Sequence, residues 1–130
     1  MTEPLILDAG ALLALHKRSS HVWRLLDRAQ RTNSPVLIPA GALAQVARGG
    51  PADAVINIVL GRDRSAVAVH DEERARSAGV LLAKTGTRDA VDALVVAEAI
   101  RHPGATIATS DPGDLAILAQ RHSRVKVVRV

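Results

Sequence analysis

Five short runs of strand-forming residues alternate along this chain with longer stretches of helical periodicity. The runs are 5–8, 36–38, 66–69, 105–109 and 125–129. The stretches between them, 11–17, 21–32, 40–48, 52–60, 71–84, 89–101 and 112–121, read as helices. Strands that alternate with helices build a parallel sheet with helices on both faces. The punctuation agrees: Asn33-Ser34-Pro35, Gly49-Gly50-Pro51, Lys84-Thr85-Gly86-Thr87 and Pro103-Gly104 all fall between elements. With no linker or repeat in its 130 residues, the chain is expected to form a single domain, 1–130, of class α/β.

Where the acids fall narrows the chemistry. Asp8 ends the first apolar strand, and Asp111 follows the fourth. In open α/β sheets, ligands bind outside the carboxyl ends of the strands, so these two carboxylates can meet if their strands are neighbours. Asp92 lies in a helix where Val91, Leu94, Val95, Val96, Ala97 and Ile100 are apolar on almost every face. A buried carboxylate is costly unless something positive meets it. Asp8, Asp89 and the Ser110-Asp111-Pro112-Gly113-Asp114 turn also read as helix starts. Capping accounts for each of them singly, but not for Asp92. Taken together they predict an acidic pocket for a hard, oxygen-preferring cation, Mg²⁺ or Mn²⁺.

Net charge is +4, and Arg outnumbers Lys heavily. The planar Arg fork suits phosphate, so a polyanionic partner is expected. The chain has one Trp and no Phe or Tyr, which excludes modules that stack bases on aromatic platforms. Without Cys there is no disulfide framework and no thiolate metal site. No secretory signal and no membrane span is evident, which predicts a cytoplasmic protein. Acids without Cys or His ligands, on a basic chain, read as metal-assisted phosphodiester hydrolysis.

At this point the residues carry a resemblance. Leu5-Ile6-Leu7-Asp8-Ala9-Gly10 is similar to the opening of PIN-domain nucleases. Val91-Asp92-Ala93-Leu94 resembles their third acidic motif, and Thr109-Ser110-Asp111-Pro112-Gly113-Asp114 their fourth. Order and spacing resemble the VapC-type ribonuclease toxins of bacterial toxin–antitoxin pairs over essentially the whole chain. The resemblance implies a PIN-like three-layer α/β/α sandwich with a mainly parallel central sheet. It also implies Mg²⁺-dependent cleavage of RNA, homodimerisation and neutralisation by a VapB-type antitoxin. Asp8, Asp92 and Asp111 then match catalytic, metal-binding acids. Thr109 or Ser110 matches a hydroxyl near the attacking water, and Asp89 and Asp114 are further acids beside the motifs. One position departs: Gln45 stands where the family usually has Glu, which removes a negative charge but keeps an amide oxygen.

Two other readings follow from the same residues. Gln45 would suit a catalytically weak module that binds RNA or an antitoxin without cutting. A phospho-acceptor receiver domain is another acidic-pocket α/β fold of this length, although residues 36–38 lead to Pro39 rather than to an acceptor Asp. His16, His21, His70, His102 and His122 show no metal spacing and are expected at the surface. Arg48, Arg62, Arg64 and Arg88 are candidates to line an RNA path, and Trp23 is expected in the core or at an interface.

Overall fold

In the computed structural model, which describes residues 3–130, five strands form one parallel sheet in the order β3-β2-β1-β4-β5. The strands are β1 (Leu5–Leu7), β2 (Val36–Pro39), β3 (Ser65–Ala68), β4 (Ala105–Thr109) and β5 (Val125–Arg129). The helices are α1 (Ala9–His16), α2 (Ser20–Arg31), α3 (Ala40–Val46), α4 (Ala54–Leu60), α5 (Glu72–Thr85), α6 (Ala90–Ile100) and α7 (Gly113–Leu118).

Side-chain alternation divides the core between the two faces of the sheet. Leu5 and Leu7 of β1 point into one core with residues of α1, α2 and α4. Ile6 points into the other with residues of α5, α6 and α7. All three β1 residues are buried, as a central parallel strand requires. The result is a three-layer α/β/α sandwich. Its filling is aliphatic, and α6 buries Ala93, Val95, Val96, Ala97 and Ala99 at once. No helix of the described residues is long and apolar enough to cross a membrane.

Local signals set most boundaries. Asp71 caps α5 by accepting the Arg74 N–H at 2.9 Å, and Gly86 ends that helix at φ 73°, where a Cβ would be strained. α3, α4 and α7 are each shorter at one end, by two or more residues, than their periodicity predicts. α3 stops at Val46 because the Arg48 guanidinium turns back and donates to the carbonyl oxygens of Ala44, Gln45 and Ala47. A 3₁₀ turn, Pro51–Asp53, precedes α4, and the Asp53 carboxylate accepts the N–H groups of Arg48 and Gly49.

Strand order decides where a ligand can go. From β1 the chain builds outward through β2 to β3, then returns to place β4 and β5 on the opposite side of β1. The order therefore reverses between β1 and β4, which opens a crevice at their carboxyl ends. This order also differs from the 2-1-3-4-5 arrangement of flavodoxin-like receiver domains. The receiver reading is set aside for that reason: the central strand here is β1.

Candidate functional site

The turn after β1, the turn after β4 and the first turn of α6 come together at the carboxyl end of the sheet. Leu5, Ile6 and Leu7 pair with Thr106, Ile107 and Ala108, so the two turns emerge side by side. Asp8 is buried at 6% exposure. It caps α1, with Oδ1 accepting the Ala11 N–H at 2.9 Å. The capping role expected for Asp8 is thus met by this carboxylate.

Thr109, 1% exposed, ties the turns together. Its hydroxyl accepts the Asp111 N–H at 3.1 Å and donates to the Asp111 carbonyl oxygen at 3.2 Å, beside the Asp8 carboxylate. Asp111 itself is exposed and accepts the Gly113 N–H at 3.2 Å, steadying the start of α7. Asp89 caps α6 by accepting the Asp92 N–H at 3.0 Å, which sets Asp92 in the first turn. Ser110 and Asp114 are exposed at the rim of the same turn.

The electrostatics show how close these groups come. Burial pushes the Asp8 carboxyl above its ordinary range, opposed by bonds from Thr109, Ala11 and Gly10 and reinforced by repulsion from Asp111. Burial pushes Asp92 up to about 6, and repulsion from Asp89, Asp8, Asp114 and Asp111 adds to it. Among the described residues, none of these five carboxylates is in an ion pair. The pocket therefore holds more negative charge than the protein neutralises, a state that a divalent cation relieves.

Among the described residues, no group of three or more His, Asp or Glu side chains is placed so that it could hold a metal ion. Asp8 is buried, Asp92 half-buried and Asp111 exposed. Gln45 lies on α3 and is exposed.

Several residues depart from expectation. His16 is not a free surface side chain: it lies between the carbonyl oxygens of Leu12 and Ala52, at 3.1 and 2.7 Å. His102 sits 2.9 Å from Glu98. His70 accepts the Gly41 N–H at 2.9 Å through Nε2, which places its proton on Nδ1, a buried atom without a partner. Burial lowers its tendency to ionise. Tertiary contacts across 36 and 29 residues engage His16 and His70, and no local motif signals these. Of the four arginines considered for an RNA path, Arg48 is spent on the end of α3. Arg62 pairs with Asp27 at 3.4 Å and lies 5.5 Å from the centroid of the half-buried Trp23 ring. Arg64 and Arg88 are exposed.

Sequence reasoning also passed over Glu98. It is 2% exposed on α6 and bonds Arg74 of α5 at 2.7 Å, locking the two helices behind Asp92. A single acid amid apolar helix residues, with His four positions on, was the available signal.

The chain matches no protein-family model and no curated protein by sequence. Its fold is similar to that of solved chains. One comes from VapBC2 of Rickettsia felis bound to a DNA fragment from its promoter, at TM-score 0.73 and 16% identity over 98% of both chains. Another comes from DNA-bound VapBC of Salmonella typhimurium, at 0.67 and 16%, covering 99% of this chain and 98% of that one. A third is from FitAcB of Neisseria gonorrhoeae, at 0.63 and 20%, over 96% of both. At these identities the likeness is one of fold.

Proposed function

We propose that this chain is a metal-dependent endoribonuclease of the VapC toxin type, homodimeric and neutralised by a VapB-type antitoxin. The observation that carries the reading is the set of unneutralised carboxylates, Asp8, Asp92 and Asp111 with Asp89 and Asp114, at the β1/β4 reversal. The end-to-end likeness to chains from VapBC and FitAcB complexes supports it.

In this reading Asp8 and Asp92 hold Mg²⁺ or Mn²⁺, and Asp111 completes the site on its open side. The bound ion supplies an acidified water and stabilises charge on the scissile phosphate. The chain's own residues do the positioning. The Ala11 N–H holds one oxygen of the Asp8 carboxylate, and the Thr109 hydroxyl holds the backbone of Asp111. The buried side of the pocket keeps water out, which strengthens each charge interaction there. Asp111 is exposed next to Ser110, and in this reading it is the acid that RNA and the attacking water would reach first.

The deciding experiment incubates RNA with the purified chain in Mg²⁺, in Mn²⁺ and in a chelator, then maps product ends. Internal cuts that require the divalent ion are expected. Intact RNA in both metals defeats the nuclease reading. Gln45 favours a second reading, a module that binds RNA or antitoxin with little cutting, because it removes one charge from the usual acidic set.

A further inference from the structure

The outward face of α2 carries a stripe that the acid site does not use. His21, Arg24, Arg28 and Arg31 are all exposed. At 3.6 residues per turn they fall within an arc of about 80°, running about 15 Å along the helix. The opposite face buries Val22, Leu26 and Ala29. Among the described residues, none of the three stripe arginines is in an ion pair. The acid nearest the stripe, Asp27, is taken by Arg62.

The stripe continues onto the sheet. Arg28 and Lys126 of β5 line one cavity of about 410 Å³, with the hydroxyl-bearing Thr32, Ser34 and Thr106, the apolar Leu25 and one acid, Glu3. Pro4 and Leu5 also line it, so it lies at the amino ends of the strands, away from Asp8 and Asp111. The helix dipole accounts for Arg28 and Arg31 in the last turn of α2. It does not account for Arg24 in mid-helix, for His21 or for Lys126.

We propose that this stripe, with Lys126, docks the phosphodiester backbone of RNA. The inference rests on the nuclease reading for its biological use, but not for its test. Arg forks match phosphate oxygens. The exposed side chains of the stripe are cationic, with Leu25 half-buried beside them, and a polyanion complements that charge better than an apolar protein surface would. Backbone docking of this kind carries affinity without reading bases. It gives the chain a hold on long RNA distant from the bond that is cut.

The test is fluorescence anisotropy with a labelled single-stranded RNA of about 20 nucleotides, in chelator so that nothing is cut, at about 50 and about 200 mM salt. The variants are Arg24→Gln/Arg28→Gln/Arg31→Gln and the matching triple Lys variant. The Gln triple should bind at least about tenfold more weakly at the lower salt. Its dependence of log affinity on log salt should flatten by about 2, from three contacts at about 0.7 each. The Lys triple should keep most of the binding, which separates loss of charge from loss of fold. Equal affinity of the Gln triple and the parent overturns the proposal, as does a parent that does not bind RNA. Stripe-dependent binding by a chain that never cuts would uphold the stripe and defeat the nuclease reading. Cleavage with stripe-independent binding would do the reverse.

Discussion

Gly10 packs directly against Ser110. A Cβ at residue 10 would come within 2.8 Å of the Ser110 backbone nitrogen, closer than real side chains approach. Residue 10 opens α1 just after Asp8, and residue 110 precedes Asp111. The missing side chain is therefore what lets the two acid-bearing turns touch. Gly10→Ala should cost about 1–3 kcal/mol, the usual penalty of overpacking. Because the obstacle is backbone, trimming Ser110 to Ala should not restore the loss. Thermal melts of the single and double variants decide this, and full rescue by the double would refute it.

Asp8→Asn and Asp92→Asn should each abolish divalent-dependent RNA cleavage while leaving the far-ultraviolet circular dichroism unchanged. Either side chain keeps its shape but loses the charge that holds the ion. Cleavage at parental rates in both variants would remove these residues from the chemistry.

The Asp92 carboxyl, raised from 3.8 to about 6, also predicts a stability effect. A raised acid binds its proton more tightly in the folded state than in the unfolded one. Folding stability is therefore fully present below about pH 4 and is lost as pH climbs through about 6. The loss is on the order of 2 kcal/mol after allowing for partial exposure. In chelator, Asp92→Asn should be the more stable protein near pH 8, with the gap closing near pH 4. A gap of the same size at both values would contradict the assignment. Added Mg²⁺ should stabilise the parent and not the variant.

Gln45→Glu, which supplies the acid usual at this position in the proposed family, should lower the Mg²⁺ concentration needed for half-maximal cleavage by about tenfold, the effect of roughly 1.4 kcal/mol. Titration of cleavage against Mg²⁺ measures it. An unchanged midpoint would mean that residue 45 does not act on the ion.

Glu98→Ala should cost about 1.5–3 kcal/mol, the range for a charged hydrogen bond, because Arg74, 13% exposed, loses its buried partner but keeps Asp71 at 2.8 Å. Chemical denaturation reads this directly. A loss below about 1 kcal/mol would show the pair to be dispensable.

Much of this protein is legible from its order of residues. Strands 105–109 and 125–129 have the bounds read from sequence, and the caps at Asp8, Asp71 and Asp89 form through backbone N–H groups within three residues. These are local interactions, and local sequence encodes them. The helices that came out short at their carboxyl ends, α3 and α7, ended where neighbouring backbone and side chains satisfied their last carbonyls sooner than periodicity implied.

The acids were visible as types in the chain, but their meeting was not. Only the pairing of β1 with β4 places Asp8 beside Asp111, and only the packing of α6 against the sheet brings Asp92 to both. Gly10 against Ser110 and His70 against Gly41 are contacts across long stretches of chain, with no periodic signature. Sequence by itself determined the elements, their caps and the supply of carboxylates, since neighbours along the backbone decide those. Tertiary structure decided which carboxylates share a pocket and which cations are left unpaired on α2, since both depend on what each side chain meets after the chain has closed on itself.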